Sequence, residues 1–379
     1  MTDVVCRSCG HAALATVFDA PSVPVENSRL YADEASARAV ARGDLVIQQC
    51  ERCGFVQNSA FDPTLVVYDD DYEDAQGHSA VFQAFATRVI DELIDTYDLQ
   101  GARALEIGCG NGDFLRRFCA ASGGTGVGLD PALGSDAGVD GPVELRAESF
   151  TTGSGHFDAD VVICRHTLEH VPDIAAFLAL VRAELADRPE VVLYLEVPDT
   201  GRIADEAAFW DVYFEHCSYV DEGGFADLLQ RSGFAVVQSR LDYDGQYLVT
   251  HARLGTRQPI VARDSQLDFS ALADSVDHWR RWANELDEHG RRAAVWAASS
   301  KAVAFLSALP DFAPVVAVDI NPAKAGRHLP GSGLGVCGPD DLPGYEVDTV
   351  VVMNPVYMDE IRAELDRVGV QAELVGLGA

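Results

Sequence analysis

One aromatic run, Phe209-Trp-Asp-Val-Tyr-Phe-Glu-His-Cys-Ser-Tyr219, encloses an acid next to an imidazole, Glu215 and His216. Imidazole accepts a proton near neutral pH without a large pKa shift. His216 is therefore the candidate general base, Glu215 the group that orients or polarises it, and Tyr213 a nearby hydrogen-bond donor. A core-facing aromatic segment carrying one satisfied histidine is the bland alternative. A second polar cluster, Arg165-His-Thr-Leu-Glu-His170, follows an apolar run from Asp158 to Cys164. If that run is a parallel strand, His166, Glu169 and His170 lie at the edge where such sheets bind ligands. Their spacing resembles half of a metal site, but no third ligand is indicated, so metal is not expected there. His170 either orients substrate or caps the strand–helix loop. The stretch Tyr68-Asp-Asp-Asp-Tyr72-Glu-Asp74 adds two phenols, either at the mouth of the same site or in a solvated loop.

These groups need a scaffold, and Ala104-Leu-Glu-Ile-Gly-Cys-Gly-Asn-Gly-Asp-Phe114 organises it. Ala104 to Ile107 reads as a short buried strand. Gly108, Gly110 and Gly112 make a tight turn, and a helix starts near Asp113. Missing side chains let the backbone approach a ligand closely. Glu106 sits in the strand where a plain dinucleotide fold is normally apolar. One helix later, Gly126-Val-Gly-Leu-Asp130 ends in an acid placed for ribose hydroxyls. Glu148-Ser149-Phe150, after a weak strand from Val143 to Ala147, is placed to read an adenine amine, and Arg165 joins this cofactor-side set. The order of turn, acid and helix resembles a class I S-adenosylmethionine-dependent methyltransferase. The rival is a dehydrogenase, whose third glycine serves a pyrophosphate that methyl donors lack.

Cys6-Arg-Ser-Cys9 and Cys50-Glu-Arg-Cys53 are two C-x-x-C pairs, each followed by a glycine. Two such knuckles supply four thiolates to one tetrahedral structural zinc. Disulfides are the alternative, but nothing indicates an oxidising compartment. The other five cysteines read as small buried fillers.

The chain of 379 residues is 48% apolar, long enough for two or three domains with real cores. No apolar run is long enough to span a membrane. Met-Thr-Asp-Val-Val-Cys has neither a basic region nor an apolar core, so no signal peptide is expected and the expected location is cytoplasmic. The 28 Lys and Arg against 60 Asp and Glu give a formal charge of −32. That field repels nucleic acid and anionic membranes, so neither is expected as a partner. It also repels a nucleotide-linked substrate, whose anion then needs a local site.

Downstream, Val81 to Tyr97 and Ile174 to Leu185 have helical spacing, and Val191 to Val197 reads as a strand. Val220 to Gly233 is a predicted helix. Phe234-Ala-Val-Val-Gln and Gln246 to His251 are predicted as the antiparallel end of the sheet. Pro21-Ser-Val-Pro24 reads as loop. After a long helical tract, Leu267 to His289, a second parallel α/β series begins with Ala293 to Ala297. Its turn, Ala298-Ser299-Ser300-Lys301, offers hydroxyls, backbone amides and an ammonium to a phosphate, or only walls a cleft. The fold class is α/β, divided into residues 1–80 (cysteine knuckles), 81–254 (methyl-donor sheet) and 255–379 (C-terminal Rossmann-like domain).

Taken together, these motifs resemble the three-domain sugar C-methyltransferases of deoxysugar biosynthesis, including antibiotic sugars. The resemblance covers nearly the whole chain. It is carried by Cys6, Cys9, Cys50 and Cys53, by Glu106-Ile-Gly-Cys-Gly-Asn-Gly112, and by Tyr213-Phe-Glu-His216, where the family has Tyr-His-Glu-His. It implies S-adenosyl-L-methionine and structural zinc. It also implies methylation at carbon 3 of a nucleotide-linked 4-keto-6-deoxyhexose, with His216 as the base and Tyr68 or Tyr72 at the substrate. With the same substrate, His166, Tyr213, Ser299, Ser300 and Lys301 become contacts to the sugar or its diphosphate. An O- or N-methyltransferase would share every donor feature. A sugar isomerase would need the base alone, and a zinc-bearing binding protein neither base nor donor. The nucleotide, sugar stereochemistry and oligomeric state are not written in these motifs.

Overall fold

The strand Arg103–Ile107 buries four successive residues, Ala104 to Ile107. A strand buried on both faces belongs inside a parallel sheet covered by helices. In the computed structural model, which describes residues 4–67, 77–263 and 266–378, it lies at the centre of an eight-stranded sheet. Across that sheet run Phe234–Asp242, Tyr247–Leu254, Val192–Pro198, Val161–Arg165, Arg103–Ile107, Thr125–Leu129, Val143–Arg146 and Gly138–Asp140. The five from Val192–Pro198 to Val143–Arg146 are parallel. The pair Phe234–Asp242 and Tyr247–Leu254 closes one edge antiparallel, as expected of these two segments. The glycine strand is flanked by Thr125–Leu129 and Val161–Arg165, so the chain reverses its winding there. That crevice at the strand ends is where open α/β sheets bind ligands.

The helix Ala80–Tyr97 buries Phe85, Val89, Ile90, Leu93 and Ile94 on one face against this sheet. Ser79 caps its start by accepting from the Phe82 N–H at 3.3 Å. A second sheet of five parallel strands runs Val336–Cys337, Val316–Val318, Ala293–Trp296, Thr349–Val352 and Glu373–Gly376. The helical tract before it is ordered as a helix over Ala271–Glu288.

The third sheet corrects the sequence reading. Its order is Leu14–Pro24, Arg42–Cys50, Val56–Asn58 and Ser218–Tyr219. Pro21 to Pro24 is strand, not loop. The prolines are tolerated because Leu14–Pro24 is an edge strand, with a register shift between Ala20 and Val23. The fourth strand comes from beyond His216, so the knuckle sheet is completed by the segment that carries the candidate base. Among the described residues, no helix is long and apolar enough to cross a membrane.

Candidate active site

Gly108, Gly110 and Gly112 all have positive φ, at 71°, 51° and 79°. At Gly108 a Cβ would lie 2.0 Å from Thr167 Oγ1, and at Gly112 it would lie 2.7 Å from Leu145 Cδ1, so both close contact and backbone geometry require glycine. Glu106, in the strand below, is 2% exposed, and its Oε2 has no hydrogen-bond partner. Burial pushes this carboxyl up to about 8, although Arg165 opposes the shift. A buried, unsatisfied carboxyl beside an open glycine turn fits a ligand bearing an ammonium group. Asp130 sits at the next strand end as expected, but its carboxylate already accepts from Gly110 N–H at 2.9 Å and Ala132 N–H at 2.8 Å. It therefore shapes the turn as well as offering remaining lone pairs.

The rest of the predicted cofactor-side set divides. Glu148 and Ser149 follow the third strand of the parallel series, and Phe150 packs on Phe157 and Phe177 at centroid distances of 6.4 and 6.2 Å. Arg165 points into protein. It donates to both oxygens of Glu196, at 3.2 and 2.8 Å, and lies 4.0 Å from the Phe114 ring centre. Arg165 is thus a support beneath the turn, because its charge is neutralised by an acid one strand over. Glu196, fully buried, also accepts from Tyr194 Oη at 2.6 Å and lies 2.8 Å from His166 Nε2. Burial alone would raise the Glu196 pKa, but Arg165 and His166 outweigh it and hold the carboxylate ionised.

Residues 165–170 form the wall between the glycine turn and a large cavity. Thr167 faces Gly108, whereas His166 and His170 line the cavity. The cavity measures about 460 Å³ and is walled by all three sheets' modules: Ser28, then Tyr213 and His216, then Ser300, Lys301 and Tyr357. Glu106 and the glycine turn are not among the described lining residues. His166 has a φ of 46° at the strand end, a costly conformation for a non-glycine residue and one that concentrates at functional sites. Burial lowers its basicity, yet Glu169 and Glu196 outweigh this and push its pKa up to about 9.

His216 is 4% exposed. Its ring lies 4.0 Å from Tyr213 and 4.8 Å, edge to face, from His170. Burial first, then the nearby His170, His166 and Lys301, hold its pKa well below the usual histidine value. The imidazole is therefore neutral at neutral pH. Burial also raises the Tyr213 phenol, which keeps its proton. Ligand-bearing atoms of Glu169, His170 and His216 lie within 4.8 Å of one another. The third potential metal ligand absent from the local spacing is thus supplied by His216, 46 residues beyond His170. Glu169 Oε2 is buried without a hydrogen-bond partner. The acid facing the base is therefore Glu169, which local spacing could not pair with it. The Glu215 carboxylate instead accepts from Asn27 N–H at 2.6 Å, because adjacent residues in this turn point apart.

Lys301 corrects another expectation. Its ammonium lies 2.8 and 2.9 Å from the two oxygens of Asp211 and donates to Gln246 Oε1 at 3.2 Å. Asp211 is also paired with Arg202. The lysine joins two modules; its charge is already matched and is not free for phosphate. Ser300 Oγ meets Ser28 Oγ at 2.9 Å, and Ser299 lines the cavity beside them. Ala297, just after the first C-terminal strand, has a φ of 117°, a conformation that favours glycine. Tyr68 and Tyr72 lie outside the described residues.

The four predicted cysteines converge. Cys6 and Cys53 Sγ are 3.6 Å apart, as are Cys9 and Cys50 Sγ, and all four are free thiols. Both knuckles close alike: Gly10 N–H donates to Cys6 O at 2.8 Å and Gly54 N–H to Cys50 O at 2.9 Å, each glycine with positive φ. A tetrahedron with zinc–sulfur bonds of about 2.3 Å has edges of about 3.8 Å. The observed separations fit that ligand set and exceed a disulfide bond.

The family description "Methyltransferase domain" matches residues 79–239, and "C-methyltransferase C-terminal domain" matches residues 264–373. With the parallel sheet and its glycine turn, these define an S-adenosylmethionine-dependent methyltransferase of class I fold. C-methyltransferase NovU of Streptomyces niveus is 27% identical over a 397-residue alignment covering 95% of this chain and 93% of the relative. The chain is similar to this C-methyltransferase over nearly its whole length. A ubiquinone biosynthesis O-methyltransferase of Xanthomonas oryzae pv. oryzae is 34% identical over 116 residues, 28% of this chain and 47% of that protein. The solved Burkholderia thailandensis 1,6-didemethyltoxoflavin-N1-methyltransferase aligns with 21% identity and a TM-score of 0.38 over 47% of this chain and 82% of its own.

Proposed function

We propose that this enzyme methylates a carbon beside the ketone of a nucleotide-linked 4-keto-deoxysugar, with C3 beside the C4 ketone as the site. The observation that carries this reading is His216: a buried, neutral imidazole facing a cavity, grouped with Glu169, His170 and Tyr213. Such a group removes a proton from carbon, and general-base help is worth about 10²–10⁴ in rate. The C3 proton passes to a ring nitrogen of His216. The C–H electron pair forms the enolate, whose charge settles on the C4 oxygen. The phenol of Tyr213 lines the same cavity and supplies a directed donor to that oxygen, and the cationic ring of His166, held by Glu169 and Glu196, lies in the same wall. The methyl donor supplies an electrophilic carbon on a sulfonium; C3 forms the new bond as the carbon–sulfur pair leaves with sulfur. Glu106 holds the donor's ammonium and Asp130 the ribose edge. The nucleotide end lies toward Ser299 and Ser300 on the C-terminal sheet. Cys6, Cys9, Cys50 and Cys53 hold one structural zinc, which supplies folding energy to the knuckles.

The test is solvent deuterium exchange at the candidate carbon of nucleotide-linked 4-keto-6-deoxyhexoses, with S-adenosylhomocysteine bound to stop transfer. Wild type exchanges the hydrogen. His216→Ala binds S-adenosylhomocysteine normally but loses exchange and transfer. Undiminished exchange in His216→Ala would remove His216 from the base role. Methyl on oxygen or nitrogen of the sugar would favour the alternative transfer.

A further inference from the structure

The knuckles are more than 160 residues from His216 in sequence, yet they hold the loop that carries it. Asn58 is completely buried. Its Oδ1 accepts from Val46 and Ala60 N–H, each at 3.2 Å, and its Nδ2 donates to the Phe214 carbonyl at 3.4 Å. The Asn58 N–H donates to the Cys217 carbonyl at 3.2 Å. Arg7, inside the first C-x-x-C, donates from Nη1 to that same Cys217 carbonyl at 3.0 Å. Gln57 and Val56 pair antiparallel with Ser218 and Tyr219. The carbonyls on both sides of Glu215-His216 are thus held from the knuckle module. Asn27 of the same N-terminal segment takes the Glu215 carboxylate.

We propose that Arg7 and Asn58 are positioning residues for His216, which makes the cysteine-knuckle module part of the catalytic apparatus. They act through the Phe214 and Cys217 carbonyls and do not touch the reacting atoms. Loosening the hold on either carbonyl lets the imidazole drift from its place against Glu169 and His170. Misplacing a catalytic group by about 1 Å costs on the order of 10²-fold in rate. The inference rests on His216 being the base, but its geometric half is tested without substrate.

The experiment uses full-length enzyme with its metal. Asn58→Asp keeps both accepting bonds and turns only the Phe214 contact into two facing oxygens. Arg7→Met removes the side-chain donor to the Cys217 carbonyl and leaves only the Asn58 N–H there, and Arg7→Lys restores a cation. Ring ¹⁵N signals of His216 are identified by their loss in His216→Ala. They should shift or broaden in Asn58→Asp and Arg7→Met and return toward wild type in Arg7→Lys. With a 4-keto-sugar that wild type converts, kcat should fall about tenfold or more. Affinity for S-adenosylhomocysteine and bound metal per chain should stay as in wild type. Unchanged His216 signals and kcat would overturn the proposal. So would a parallel loss of metal, donor affinity and rate in Arg7→Met, which is general structural damage. If Asn58→Asp does not fold, the Arg7 pair decides. If His216→Ala still methylates carbon, the base reading fails, while the ring signals still decide whether Arg7 and Asn58 place His216.

Discussion

Replacing Glu106 by glutamine keeps the volume of the side chain and removes its proton chemistry. The carboxyl is buried and its pKa is pushed up to about 8 from 4.5. At pH 7 about nine in ten molecules therefore carry it protonated. Ionising it at that pH costs about 1.4 kcal/mol, far less than the roughly 5 kcal/mol that its burial imposes relative to water. An ammonium brought against Glu106 by the methyl donor offsets so small a cost. Binding S-adenosylhomocysteine at pH 7 should then release about 0.9 proton from Glu106, and close to none above pH 9. Titration calorimetry in buffers of different ionisation enthalpy reads that number directly. Wild type should show the buffer dependence, and Glu106→Gln should lose it with weakened binding. A wild-type enthalpy independent of buffer, or equal proton release from Glu106→Gln, would refute the placement of Glu106 at the donor's ammonium.

Elemental analysis of unsupplemented protein should find about one zinc per chain, and Cys6→Ser should lose both metal and fold, since binding and folding are coupled. Thiols recovered as disulfides would contradict this. Asp211→Asn leaves the largely buried Lys301 without its carboxylate, while Arg202 keeps Glu206, so it should cost about 3 kcal/mol, read as a lowered midpoint in urea. The His166 pKa is raised from 6.5 to about 9, so its ion pairs stabilise the fold fully below pH 6.5 and are lost as pH rises through 9. The stability gap between wild type and His166→Gln should therefore shrink from pH 6 to pH 10, whereas a constant gap would reject the linkage. His216 is held well below its usual pKa. The acid limb of kcat that reports it should lie below pH 6.5, because activity is lost only when the ring becomes protonated.

Local signals carried much of this site in the sequence. The strand, glycine turn and following acid around Glu106, Gly108 and Asp130 are contiguous or one helix apart, so spacing alone orders them. Each cysteine knuckle is likewise a local turn, and only the pairing of Cys6 with Cys53 and Cys9 with Cys50 needed the fold. What escaped was long-range. Lys301 reads as a phosphate ligand until Asp211, 90 residues away, is placed against it. Glu215 reads as the partner of His216 because it is adjacent. The turn instead sends its carboxylate to Asn27, 188 residues away, and brings Glu169 to the base. Pro21 and Pro24 signal a loop, but Pro21 falls at a register shift and Pro24 at the end of an edge strand, where a sheet tolerates proline. No local pattern marks Tyr247, Gln246 or Asn354, which meet the cavity through pairing of the C-terminal module with the hairpin tip.

The central claim is that a carbon–carbon bond forms at the cavity lined by His216. Transfer from a donor labelled with ¹³C in its methyl, onto a nucleotide-linked 4-keto-6-deoxyhexose labelled with ¹³C at C3, tests it in one NMR spectrum. The predicted product shows a methyl carbon split by a one-bond coupling to C3, and the signal is absent with His216→Ala. A methyl signal at the shift of an O-methyl or N-methyl group, without that coupling, would contradict it.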